Sequence, residues 1–181
     1  MKKWGWFAVV IIAVLLAGCS SEEKRTLNDK NLTLQDHPKG AYPRYYDQVS
    51  KKETLKAVPF SLELPDRLPF EVALSTYQIS DWGEKRNILV DSVFYPEQRG
   101  QNVYLAYRVS NFLPKTEKLE TKDEVELSNG TDAYFSGSND LPILAWKKDG
   151  LFYRMEYLIK EDANRRTEKT KLIEAASSVF E

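Results

Sequence analysis

The residue types that most enzymes use for chemistry are scarce or scattered in this chain. It holds one cysteine, Cys19, and one histidine, His37. His37 stands next to Pro38 in a polar stretch, with no neighbouring element to hold it beside a nucleophile, so histidine-based catalysis is not expected. With one thiol and one imidazole there is no Cys/His cluster, so a zinc site is not expected. A phosphate-cradling loop is missing as well, because Gly83, Gly100, Gly130, Gly137 and Gly150 read as isolated turn residues. Carboxylates remain. Asp81 with Glu84, or Asp91 with Glu97, have the residue types of an acid–base pair for glycoside hydrolysis. Acidic residues at loop ends are more often solvated, and that reading is preferred. Asp123, Glu124 and Glu126, with Asp132 and Asp140 further on, lack the ordered ligand spacing of a calcium loop. No catalytic residue, metal or cofactor is assigned.

The elements that would position these groups begin at Pro59. Phe60, Leu62 and Leu64 alternate with Ser61 and Glu63 as a short strand, which Pro65 ends. Further strands are predicted over Phe70–Ile79 and Ile88–Tyr95, and along Val103, Leu105, Tyr107 and Val109. The charged stretch Asn111–Lys122 reads as a long exposed connection. Asn129-Gly130 has the residue types of a hairpin turn between Val125–Leu127 and Ala133–Phe135. The best-specified element is the hairpin Leu141–Ile159, turning at Asp149-Gly150. A type I′ turn there pairs Lys148 with Leu151, Trp146 with Tyr153, and Leu144 with Met155. Slipping by one residue would mix the apolar and polar faces. Arg154 and Glu156 fall on the wetter side.

A C-terminal helix follows, capped by Asn164 or Thr167. Leu172, Ile173, Ala176, Val179 and Phe180 form its apolar stripe; Lys169, Lys171, Glu174 and Ser178 take the opposite side. The predicted class is α+β, an antiparallel sheet with a C-terminal helix packed across one face. Val103, Leu105, Tyr107, Leu144, Trp146, Tyr153, Met155 and Tyr157 offer more apolar surface than one helix covers. Tyr107, Trp146, Tyr153, Met155 and Tyr157 are therefore candidates to line an apolar ligand groove, set against the alternative of a filled core.

The N-terminal third has a different character. Lys2 and Lys3 precede an uncharged run of fourteen residues, Trp4–Ala17. A spanning helix needs ~20, so the run reads as the core of a secretion signal. It ends in Leu16-Ala17-Gly18-Cys19, which resembles the lipobox of bacterial lipoprotein precursors. The resemblance implies a diacylglyceryl thioether on Cys19 and cleavage between Gly18 and Cys19. The alternative is an uncleaved N-terminal anchor with a chance cysteine. The implied organisation is a signal over residues 1–18, a lipidated cysteine and tether over 19–56, and an extracytoplasmic domain over 57–181. Ser20–Gly40 is polar and reads as solvated linker, with an r.m.s. reach of about 25 Å. In Tyr42-Pro43-Arg44-Tyr45-Tyr46 the rings dock the incoming chain; a sugar- or headgroup-contacting patch is the alternative. A short helix is predicted over Gln48–Lys56.

Without residues 1–18, 163 residues remain, carrying 24 Lys+Arg against 27 Asp+Glu. No basic stripe survives, so nucleic acid is not an expected partner. No second thiol is available for a disulfide.

The run Pro59-Phe60 through Pro65-Asp66-Arg67-Leu68-Pro69-Phe70 is similar to the opening of a domain of unknown function. That domain occurs in small lipoproteins of Gram-positive bacteria and in extracytoplasmic parts of anti-sigma factors. Trp146-Lys147-Lys148-Asp149-Gly150-Leu151-Phe152-Tyr153 and Ala175-Ala176-Ser177-Ser178 resemble its close; Phe70 stands where the domain usually has glycine. The resemblance implies no catalytic residues. The reading is a membrane-anchored, non-enzymatic lipoprotein whose domain binds an envelope protein or an apolar ligand. Its alternatives are a carboxylate-dependent hydrolase acting on wall polysaccharide and a structural part of a spore or wall complex.

Overall fold

Proline and alternation together decide where the ladders start and stop. The computed structural model describes residues 26–97, 103–114, 123–138, 140–159 and 164–180. In chain order these form β1 (Arg44–Tyr45), α1 (Lys51–Ala57), β2 (Val72–Asp81), β3 (Ile88–Pro96) and β4 (Tyr104–Ser110). There follow β5 (Asp123–Glu126), β6 (Asp132–Gly137), β7 (Pro142–Lys148), β8 (Leu151–Leu158), α2 (Arg165–Ser177) and a 3₁₀ turn, Ser178–Phe180. All eight strands join one sheet, in the order β1-β2-β3-β4-β8-β7-β6-β5, and every pairing is antiparallel. The class is α+β, an antiparallel sheet with a C-terminal helix. The lipobox with Cys19 and residues 115–122 of the long connection lie outside the described residues.

The β7–β8 hairpin has the predicted register, with Trp146 opposite Tyr153, Leu144 opposite Met155 and Lys148 opposite Leu151. Asp149 (φ 49°) and Gly150 (φ 78°) are both left-handed, as a type I′ turn requires. Around Asn129-Gly130 the loop is longer than two residues: Leu127 N–H donates to Thr131 O, and the Asn129 carboxamide accepts from Thr131 N–H. Asn164 caps α2, its Oδ1 accepting from Arg166 N–H and Thr167 N–H. Leu172, Ala175, Ala176 and Val179 are buried in the same cluster as Trp146 and Phe135.

Three expectations are corrected. Phe60–Leu64 is not a strand of the sheet. Its alternation is real, with Leu62 buried and Ser61 and Glu63 exposed. With Pro59, Pro65 and Pro69 lacking donors, the segment covers the core as extended chain and makes no ladder. Ser178 does not face solvent but is 2 % exposed. Its Oγ accepts from Arg67 N–H and donates to Ala175 O, tying the helix end to the segment before β2.

The third correction concerns the tether. Residues 27–57 belong to the folded domain. Leu27, Tyr46 and Ala57 are in the core cluster, and Leu32 and Val49 pack against it. Leu27 N–H donates to Lys85 O, Asn28 N–H donates to Ala57 O, and Asp29 pairs with Lys85 at 2.7 Å. Single apolar residues at irregular spacing do this docking, so no period revealed it. The rings of the Tyr42–Tyr46 run divide: Tyr46 docks, while Tyr42 and Tyr45 stay exposed.

Helix α1 begins one turn later than predicted, at a capping box. Glu53 N–H donates to Ser50 Oγ, and the Glu53 carboxylate accepts from Ser50 N–H and Ser50 Oγ. Ser50→Ala is expected to cost about 1 kcal/mol, read as a lower urea midpoint with unchanged slope.

Candidate functional site

Alternation puts Tyr107, Trp146, Tyr153, Met155 and Tyr157 on one face, and the β4–β8–β7 register brings them together. They do not line a groove. Their exposures are 1, 0, 5, 0 and 6 % in that order. Trp146 and Tyr153 stack with centroids 5.2 Å apart and planes within 1° of parallel. Tyr107 stacks on both, and Phe180 closes the stack edge-on at 6.4 Å from Trp146 and 5.5 Å from Tyr153. The Tyr107 hydroxyl donates to Glu63 O at 3.0 Å, and Phe70 lies against Tyr157. The expected excess of apolar surface disappears because the N-terminal segment and Phe60–Phe70 cover what the helix leaves. The groove is corrected to a filled core.

Burial governs the phenols in this cluster. Desolvation, with a smaller push from Glu63, raises Tyr153 to about 12. Desolvation and the Glu168 carboxylate raise Tyr157 to about 12, and desolvation drives Tyr107 well above the ordinary tyrosine range. Burial keeps these phenols protonated at neutral pH.

The carboxylate pairs do not assemble either. Asp81 is fully buried, and its Oδ1 accepts from Gly83 N–H and Lys85 N–H at 2.9 and 3.0 Å. It builds the β2–β3 turn, in which Glu84 and Lys85 take left-handed φ. Asp91 pairs with Arg108 Nε at 2.7 Å. Glu97 lies six residues further along the same extended chain, or roughly 20 Å away. Glycosidase carboxyl pairs stand about 5–9.5 Å apart, so these two cannot share a sugar ring. Asp123 pairs with Lys169, and Asp140 accepts from Ser138. Among the described residues no three His, Cys, Asp or Glu side chains gather as a metal site. His37 has more support than its polar surroundings suggested, with Nε2 2.6 Å from Pro43 O and Nδ1 2.9 Å from Pro38 O.

What remains is the outward face of the sheet. The register aligns Gln78, Asp91, Arg108, Arg154, Ala145 and Tyr134 in one row across six strands. Arg108 lies opposite Arg154; Asp91 holds the first guanidinium and Glu156 the second, at 2.5 Å. Arg108, Asp91, Arg154 and Glu156 keep 38, 33, 26 and 23 % of their side-chain surface in water. On the same face, four residues along their strands from this row, lie Leu74 and Tyr95, which are 57 and 38 % exposed, and Tyr104, whose ring meets that of Tyr95. Arg154 and Glu156 were legible as the wet side of the hairpin; Asp91 and Arg108 were not. Their signal was available as the positions between the buried residues of β3 and β4. The chain matches no known family model, no curated protein and no solved structure.

Proposed function

We propose that this chain is a membrane-anchored extracytoplasmic lipoprotein whose domain is a non-enzymatic interaction module of the cell envelope. Lys2 and Lys3, the apolar run and Leu16-Ala17-Gly18-Cys19 support the anchor. The likeness of Pro59–Phe70 and Trp146–Tyr153 to the domain of Gram-positive lipoproteins supports the envelope setting. In this reading α2 packs across the inner face and seals it, so binding falls to the outward face. The observation that carries the interaction reading is the composition of that face. Tyrosine and arginine are the residues that protein interfaces favour, and Tyr95, Tyr104, Arg108 and Arg154 are gathered there at the surface. The occupant is an envelope protein, not a small apolar ligand, because the aromatic cluster that such a ligand would need is closed. The roughly 20 Å between Asp91 and Glu97 speaks against a hydrolase built on that pair.

Two measurements test this. Wild type is expected to take up labelled fatty acid and enter the detergent phase, and Cys19→Ala to lose both and persist as the larger precursor. Equal labelling of Cys19→Ala would overturn the anchor. A photo-crosslinker at Tyr95 is expected to capture one membrane or wall protein specifically, while the same group at Glu174 on α2 does not. Equal capture from both positions would overturn the outward face as the interaction surface.

A further inference from the structure

We infer that the end of the domain formed by residues 28–32 and α1 rests on the anionic surface of the membrane that holds Cys19. The inference rests on the lipid-anchor reading for its geometry. Six residues separate Cys19 from Thr26, and Leu27 is already in the core. Seven peptide spacings reach at most about 25 Å. The chain enters beside the end of α1, where Asn28 N–H meets Ala57 O. The anchor therefore keeps this end at headgroup height, where a twenty-residue tether would have lifted it clear.

The surface presented there suits an anionic bilayer. Lys51, Lys52 and Lys56 of α1 are all exposed, and none is in an ion pair among the described residues. Leu55, 42 % exposed, stands among them as an apolar side chain able to enter the interface. Between α1 and the incoming chain is a recess of about 270 Å³, lined by Asn28, Asn31, Lys52, Glu53 and Lys56 among others. Its carboxylate, Glu53, accepts from Ser50 in the capping box and keeps its negative charge beside Lys52 and Lys56, so α1 sets three ammonium groups against one carboxylate to meet phosphate oxygens. A lysine near an anionic bilayer strengthens association about fivefold, so the cluster outweighs thermal motion once tethering supplies a high local concentration.

The test uses the full lipidated chain, reconstituted into vesicles, with an environment-sensitive dye on Leu55→Cys. Acylation occupies Cys19, so the dye reports one position; Lys51→Cys repeats the reading should Leu55→Cys not fold. In phosphatidylglycerol-containing vesicles, lipid-borne quenchers are expected to reach the dye, and in pure phosphatidylcholine vesicles they are not. A dye at Lys147→Cys on β7 should stay in water in both, being four strands from β2, which α1 contacts. Lys52→Glu with Lys56→Glu should lower the docked-to-free ratio at least about 25-fold. Fatty-acid labelling of the same sample separates the failures. Dye in water on anionic vesicles with the acyl label present overturns the docking alone. A missing acyl label overturns the anchor reading and the docking with it.

Discussion

Trp146→Ala is expected to lower the unfolding free energy by ~3–5 kcal/mol, a large part of the total for a domain of this size. Trp146 is fully buried, and its ring meets those of Tyr153, Tyr107 and Phe180. Truncation leaves a hole bounded by rings that cannot collapse into it, because each is held on a different strand or turn. Among the described residues the indole Nε1 has no hydrogen-bond partner, so the cost is one of packing. Trp146→Phe should therefore keep most of the stability, costing less than half as much as the alanine. The neutral control is Glu174→Ala, on the exposed side of α2, expected within about half a kcal/mol. Lys171 is a poorer control than its position on the polar side of the stripe suggested, because it pairs at 2.8 Å with Glu168, whose side chain is 9 % exposed. Equal urea midpoints for Trp146→Ala and Glu174→Ala would overturn the packing described for this core.

The same stack shows how far the sequence could be read. Trp146 and Tyr153 were assignable as neighbours because Asp149-Gly150 fixes the turn and the turn fixes the register; two local rules agree. Asn164 was legible as a cap for the same reason, one side chain meeting the next backbone donors. The docking of Leu27 was not, whereas the Tyr42–Tyr46 run was readable as docking the incoming chain, and Tyr46 does so. Leu27 is a lone apolar residue in polar chain, and its docking depends on a partner, Lys85, that is far away in sequence. The groove was misread from that omission. Surface that one helix cannot cover looks open until Leu27, Tyr46 and Leu62 are known to lie in the same core. The outward row failed to appear for another reason. Asp91 and Arg108 are unremarkable strand residues until β3–β4 pairing sets them side by side.

Alkaline pH is expected to unfold the domain cooperatively between about pH 10 and pH 12. Tyrosine in an unfolded chain ionises near 10, whereas Tyr153 and Tyr157 are raised to about 12 and Tyr107 is held well above its ordinary value, desolvation being the largest cause for each. Below pH 10 both states hold these protons, and the phenols contribute no pH dependence. Above pH 10 the unfolded chain has released protons that the folded chain still binds, so stability falls as pH rises through the window. Two pH units correspond to roughly 2–3 kcal/mol per tyrosine, so Tyr153 and Tyr157 together remove a large part of an ordinary domain's stability, and Tyr107 acts in the same direction. Phenolate absorbance from these three should therefore appear with the loss of circular dichroism and not before it. Tyr153→Phe removes one of these groups, whose hydroxyl has no hydrogen-bond partner among the described residues. That variant should lose roughly 2–3 kcal/mol less stability between the same limits, and its alkaline midpoint should move upward. A phenolate titration complete while the dichroism is still native would mean that these tyrosines are open to water, and the filled core would have to be abandoned.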